Sequence, residues 1–131
     1  MIAAIAREIE LQADFFPLSG DGLQSIYFGG GTPSLLSQDD LEMLWNAIHA
    51  HFEVDPEAEI TLEANPDDLN AEQLEVFRSS GINRLSIGIQ SFRDEDLRFM
   101  NRAHNVDEAK QCVELARQAG FDQLSIDLIY G

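Results

Sequence analysis

The sequence predicts an α/β fold of parallel strands joined by helices, as in a TIM-like (βα) barrel or a doubly wound sheet. Two observations carry this prediction. Segments with apolar residues at helical spacing alternate along the 131 residues with short apolar runs of strand length. A weak internal repeat also places a helix end, a glycine turn and a strand at residues 80–87 and again 39 positions later.

The chain opens with a predicted helix and a short strand. Apolar residues at helical spacing predict the helix from Met1 to about Phe16, and Pro17 with the loop at residues 19–22 ends it. Ser25 to Phe28 is then expected to form a strand, which stops at the three glycines that follow.

The next helix carries a clear start signal. Ser37 is a favourable N-cap, and Asp40 three residues later completes a pattern like a capping box. One apolar stripe follows at helical spacing, formed by Leu41, Leu44, Trp45, Ile48 and Phe52. Pro56 is expected to close this segment, ahead of a strand from Glu59 to Ala64.

Three more helices and two more strands complete the alternation. Asn70 begins one helix, and Asn105 with Glu108 begins another, each ended by a glycine. A short helix is expected between them, at residues 94–100. The last two strands are expected at residues 84–89 and 124–129.

The predicted strands alternate between apolar and polar residues, whereas strands of a buried parallel sheet are commonly apolar on both faces. Glu63, Gln90 and Asp127 lie on the polar face, in three successive strands. Buried carboxylates need hydrogen-bond or charge partners. This face therefore either holds a polar ligand in an open barrel, or its polar side chains form hydrogen bonds with one another. We favour the ligand, because unpaired buried charges are rare.

Composition narrows the possible partners. Asp and Glu number 24 and Lys and Arg number 8, and the resulting net charge of −16 repels phosphate backbones and anionic lipids. We therefore expect no nucleic-acid partner. No apolar run approaches the ~20 residues of a membrane span, and no signal peptide is recognisable, so a cytoplasmic location is expected. The oligomeric state is left open.

The sequence predicts no metal ligand. Cys112, the one cysteine, stands at an apolar position of a predicted helix, where a buried and inert thiol is expected. His49 and His51 are expected on a helix surface. Neither they nor His104 stand at metal-site spacing from the cysteine.

A glycine run, Gly29-Gly30-Gly31-Thr32-Pro33-Ser34, follows the first strand. It allows a ligand to approach closely and exposes N–H donors, although a tight turn is the alternative. It lacks the Lys of a phosphate-binding loop, and it is not the dinucleotide fingerprint. Candidate partners for a zwitterionic ligand with hydroxyl groups are Glu63, Gln90, Arg102 and Asp127.

Five segments resemble the sequence motifs of one family and occur in the same order along the chain. These segments are Tyr27–Ser34, Leu62–Pro66, Leu85–Phe92, Asn101–His104 and Asp127–Gly131. Over nearly its whole length the chain resembles the radical S-adenosylmethionine (SAM) family of oxygen-independent coproporphyrinogen III oxidases and heme chaperones. The start at Tyr27-Phe28 and the ending Gln90-Ser91-Phe92 are more similar to the HemW-type chaperone branch. The resemblance implies a partial TIM-like barrel.

The resemblance also implies cofactors and a site. By position it assigns SAM contacts to Gly30, Gly31, Thr32, Glu63, Gln90, Arg102 and Asp127. It implies a [4Fe–4S] cluster that supplies an electron to SAM, and heme or a porphyrin as a further partner. No residue of this chain is assigned a catalytic role.

One departure from the family pattern concerns the cluster. The family's Cys-x-x-x-Cys-x-x-Cys motif belongs upstream of the opening helix and does not occur here. We therefore expect residues 1–131 to be an incomplete radical SAM barrel domain that lacks this segment and later barrel units and is inactive alone. The alternatives are a cluster-free α/β module that binds an anionic ligand at the glycine run, and a non-functional remnant.

Overall fold

The computed structural model describes residues 1–15, 20 and 22–130, and its helices and strands alternate as the sequence predicts. The helices are α1 (Ile2–Gln12), α2 (Gln38–His51), α3 (Ala71–Ser79), α4 (Asp94–Phe99) and α5 (Val106–Gln118). The strands are β1 (Leu23–Phe28), β2 (Val54–Ala64), β3 (Arg84–Gln90) and β4 (Gln123–Leu128). Short 3-10 turns follow β1 and β2, at Pro33–Leu35 and Pro66–Asp68.

The chain forms two compact units, and the first comprises Met1–Ile26 and Leu36–Glu59. In this unit α1 packs on α2. The Ser37 hydroxyl accepts the Asp40 N–H over 3.2 Å, and the Asp40 carboxylate accepts the Ser37 N–H over 3.1 Å. These two bonds confirm the predicted capping box and satisfy two N–H groups that the helix leaves unpaired.

The second unit comprises Tyr27–Leu35 and the chain from Ile60 onward. This unit contains β3, β4 and the carboxyl-terminal ends of β1 and β2, in the sheet order β1-β2-β3-β4, and the pairs β2–β3 and β3–β4 are parallel. Leu85 pairs with Leu124 and Ile87 with Ile126. The two copies of the 39-residue repeat are therefore neighbouring strands in matching register.

The apolar face of the sheet is buried in β2 and β3, as the alternation predicts, but not in β4, where Ile126 and Leu128 are 40% and 47% exposed. Leu62, Leu85, Ile87 and Ile89 have no exposed surface, and burying each such side chain stabilises the fold by roughly 1.5–3 kcal/mol. Helix α3 buries Leu74 and Phe77, and α4 buries Leu97. Helix α5 buries one face, formed by Ala109, Cys112 and Ala116.

Two predicted boundaries are wrong. Pro56 does not close the segment before β2 but lies inside this strand, which begins at Val54. The pairing of β2 with β3 begins at Thr61, so the missing N–H of Pro56 removes no bond from that ladder. Helix α1 ends at Gln12, earlier than expected, and a turn follows it. Phe16, Pro17, Ser19 and Asp21 lie outside the described residues.

The described helices are short, the longest having 14 residues. None of them, within the described ranges, has the length and apolar character that crossing a bilayer requires.

Candidate functional site

A polar pocket lies at the carboxyl ends of the strands in the second unit. It is open and contains about 460 Å³ of empty space, part of it continuous with solvent. Its lining consists of Gly31, Thr32, Pro33, Ser34, Glu63, Ala64, Asn65, Ser86, Gly88, Gln90 and Asp127. This edge of a parallel sheet is where α/β folds build ligand sites.

The glycine run after β1 holds the carboxylate of Glu63. Gly30 and Gly31 have φ angles of 79° and 63°, in the left-handed region that favours glycine. The Gly30 N–H in this turn donates to Glu63 Oε2 over 3.1 Å. The hydroxyl of Tyr27, which lies in β1, donates to Glu63 Oε1 over 2.9 Å. Each carboxylate oxygen has two lone pairs, so acceptor sites remain for a ligand.

Gln90 ends β3 in an unusual backbone conformation. Its φ of 72° is uncommon for a residue other than glycine. The Gln90 carbonyl accepts the Ile129 N–H over 2.9 Å. A Cβ at Gly88 would lie 2.9 Å from Gln90 Nε2, so the absence of a side chain at position 88 leaves room for the amide.

Asp127 and Arg102 relate to the pocket differently. Asp127 lies in β4, is exposed and belongs to the lining. Arg102 reaches the pocket through two lining residues, because its Nη2 donates to Asn65 Oδ1 and to the Gly88 carbonyl, each over 3.0 Å. Arg102 thus ties the residue after β2 to β3.

Ser34 links the loops that follow β1 and β2. Its hydroxyl donates to Asp68 Oδ2 over 2.6 Å, and the Asn65 side-chain amide donates to the same oxygen over 3.3 Å. Ser34 is buried, so this link gives the glycine run a fixed attachment on its carboxyl-terminal side.

His104 is a buried residue for which no role was predicted. Its ring Nε2 lies 3.0 Å from the Ile89 carbonyl, and Nδ1 lies 3.0 Å from Asp67 Oδ1. The carbonyl can only accept, so Nε2 carries the hydrogen of that bond. His104 therefore holds the backbone just before Gln90.

The amino end of the polar face is arranged differently. Arg84 Nη1 donates to Thr61 Oγ1 and Nη2 donates to Ser125 Oγ, each over 3.2 Å. These side chains come from β3, β2 and β4, so one guanidinium joins three neighbouring strands.

The structure brings the seven predicted site residues to one place. Five of them line the pocket, namely Gly31, Thr32, Glu63, Gln90 and Asp127. Gly30 and Arg102 bond to lining residues. Tyr27 and Asn65 belong to the segments that carry the family resemblance, but their contacts at the site were not predicted, because each depends on a residue more than 30 positions away.

Cys112 is buried, as expected, and its thiol donates to the Ala109 carbonyl over 3.1 Å. Burial, reinforced by the charge of Asp67, raises the pKa of the thiol to about 11. His49 and His51 are exposed on α2. Within the described residues no three potential metal ligands cluster, so these residues do not fit a [4Fe–4S] cluster, which cysteine thiolates hold.

The sequence matches the Radical SAM superfamily over residues 4–131. The chain therefore belongs to the radical SAM superfamily. Membership implies SAM and a [4Fe–4S] cluster as the family's cofactors.

Relatives with heme-related names are similar to the chain. The heme chaperone HemW of Haemophilus influenzae is 44% identical over 109 residues, which cover 83% of this chain and 28% of that protein. The oxygen-independent coproporphyrinogen III oxidase of Escherichia coli is 34% identical over 128 residues, covering 98% of this chain and 28% of that protein. This chain thus spans under a third of the length of either relative.

A solved structure confirms the predicted TIM-like α/β fold. The structure of coproporphyrinogen III oxidase (HemN) from Escherichia coli, described as a radical SAM enzyme, superimposes with a TM-score of 0.86 at 33% identity. The superposition covers 99% of this chain and 30% of that one.

Proposed function

We propose that this chain forms the SAM-binding part of a radical SAM protein of the heme chaperone or oxygen-independent coproporphyrinogen III oxidase type, acting in heme or porphyrin metabolism. The pocket carries this proposal, because carboxylates from β2 and β4 and an amide from β3 line one space beside the glycine run. SAM presents an ammonium, a sulfonium and two ribose hydroxyls. Glu63 and Asp127 offer acceptors and negative charge to these groups.

The remaining predicted residues complement the other parts of SAM. Gln90 both donates and accepts, so it suits the polar edge of an adenine or a ribose hydroxyl. The run Gly30-Gly31-Thr32 presents backbone groups to the ligand's amino and carboxylate end. Arg102 acts through Asn65 and Gly88, which it holds.

We propose further that residues 1–131 form an incomplete radical SAM barrel domain, to which other parts of a longer protein supply the cluster ligands and additional strands. The single cysteine and the 28% coverage of the HemW and oxidase relatives support this. The chain alone is then inactive. Cysteines from another part of the longer protein would hold the cluster, which would supply one-electron reducing chemistry at the SAM site.

The chaperone is the favoured type, because the segments Tyr27-Phe28 and Gln90-Ser91-Phe92 are more similar to the HemW branch. The identities to HemW proteins, 35–44%, and to oxidases, 34–38%, overlap. Heme is then the partner, with a porphyrin substrate as the second candidate. The net charge of −16 supports the absence of a nucleic-acid partner. The cytoplasmic location stays a prediction.

The test uses the full-length protein, purified without oxygen and reconstituted with iron and sulfide. We expect SAM to bind in calorimetry, and Glu63→Ala or Asp127→Ala to weaken its Kd by about tenfold or more, since each removes a charged acceptor. Ser79→Ala is the control, because this exposed hydroxyl on α3 bonds its own helix carbonyl, Val76 O.

Four outcomes decide between the candidates. A cluster-loaded protein that does not bind SAM contradicts the proposal. SAM affinity that is the same without iron favours the cluster-free module. Heme binding without turnover of coproporphyrinogen indicates the chaperone, and turnover indicates the oxidase.

A further inference from the structure

The side chain of Tyr27 turns back from the end of β1 toward the pocket. Its hydroxyl donates to Glu63 Oε1 over 2.9 Å, and the Gly30 N–H holds Oε2 over 3.1 Å. Glu63 is therefore fixed from both oxygens by the same short stretch of chain. The Tyr27 side chain is itself 55% exposed, so its place is not dictated by burial in the core.

Gly29 provides the space that this arrangement needs. A Cβ at position 29 would lie 2.8 Å from Tyr27 Cε1, 3.0 Å from Tyr27 Cδ1 and 3.2 Å from Glu63 Cδ. Its φ angle is outside the left-handed region, unlike those of Gly30 and Gly31. A side chain at position 29 would therefore clash with the Tyr27 ring and the Glu63 carboxylate, and glycine avoids this clash.

The Tyr27 hydroxyl lies among side chains of three strands. The hydrogen bond to Glu63 raises the pKa of Tyr27, partial burial and the charges of Glu63 and Asp127 raise it further, and a hydrogen bond with Ser86 opposes the shift. A tyrosine pKa above its usual value keeps the phenol protonated at neutral pH. The hydroxyl therefore remains a donor to Glu63 under ordinary conditions.

We propose that Tyr27 is a positioning residue that fixes the Glu63 carboxylate in the orientation that receives SAM, in the space that Gly29 leaves open. This inference rests on the proposed function, because it assigns the Glu63 carboxylate to SAM. A glutamate side chain loses rotamer freedom when a ligand immobilises it. Because Tyr27 and Gly30 already bond to the Glu63 carboxylate, this rotamer freedom is lost when the chain folds. SAM then binds to an ordered carboxylate.

The experiment is a double-mutant cycle on the reconstituted full-length protein, with the Kd of SAM measured by calorimetry for wild type, Tyr27→Phe, Glu63→Ala and the double variant. Tyr27→Phe keeps the ring and removes the hydroxyl. We expect it to weaken SAM binding about threefold to tenfold, the cost of immobilising one glutamate side chain on binding instead of on folding. In the Glu63→Ala background the same change should have no further effect.

The outcomes separate this inference from the proposed function. If Glu63→Ala weakens binding but Tyr27→Phe leaves the Kd unchanged or lowers it, the positioning role is wrong and the SAM site stands. If Tyr27→Phe weakens binding equally in both backgrounds, the hydroxyl acts independently of Glu63, which also overturns the inference. If the wild-type protein does not bind SAM, the proposed function itself fails. Tyr27→Phe should remain fully folded at the temperature of the binding assay, and weaker binding that follows partial unfolding would reveal a merely structural role.

Discussion

The two ends of the sheet's polar face are built from similar alternating sequences and behave differently. At the amino end, Arg84 bonds to Thr61 and Ser125, so its charge is held among side chains of the chain itself. At the carboxyl end, Glu63 and Asp127 surround an open pocket. The polar side chains at the amino end thus bond to one another, whereas the carboxylates at the carboxyl end border open space.

Replacing Arg84 tests the amino end of the polar face, where the side chains bond to one another. It should have the largest effect on the free energy of unfolding. Arg84→Met loses the bonds to Thr61 and Ser125 and should lower the free energy of unfolding by about 2 kcal/mol. The expected SAM affinity of the reconstituted full-length protein is unchanged. Urea denaturation and calorimetry on the same samples measure the two quantities. A large loss of affinity at full stability would show that the amino end also serves the ligand.

Replacing Asp127 tests the carboxyl end of the polar face, where the pocket lies. Asp127→Asn keeps the shape and removes the charge, so SAM binding should weaken about tenfold while the free energy of unfolding changes by less than about 0.5 kcal/mol. The same two measurements apply. Reduced stability with unchanged affinity would mean that Asp127 is a structural partner, and the contrast between the two ends would disappear.

Replacing Ser125 should have the smallest effect and sharpens the first prediction. Ser125→Ala removes the bond from Arg84 Nη2 to Ser125 Oγ and should cost about 1 kcal/mol of unfolding free energy, with SAM affinity unaffected. Combined with Arg84→Met, it should add little, because the bond is already absent. Full additivity in denaturation curves would show that Ser125 is stabilised by something other than Arg84.

Local signals predicted much of the fold. The capping boxes at Ser37 and Asn105 lie where the sequence places them, because the side chains and N–H groups involved are three residues apart. Alternation along β3 predicted that Leu85, Ile87 and Ile89 are buried. Pro56 misled because proline stops a strand only where its N–H is needed for pairing.

The site was predicted only in outline, because its precision comes from long-range contacts. Parallel strands bring their carboxyl ends together, which is sufficient to expect Glu63, Gln90 and Asp127 near one another. That Arg102 bonds to Asn65 rather than lining the pocket depends on packing across 37 positions of sequence. The burial of His104 has the same cause, since both its partners belong to other elements.

The shift of register between β3 and β4 has a consequence for how this chain can vary in length. Between Ile87 and Gln90, three steps of β3 run alongside two steps of β4. The Gly88 carbonyl within this stretch accepts a bond from Arg102. Deleting one residue here would reverse which side chains face the helices, turning the Gln90 amide into the core. Insertions and deletions should therefore be tolerated less at 87–90 than substitutions are.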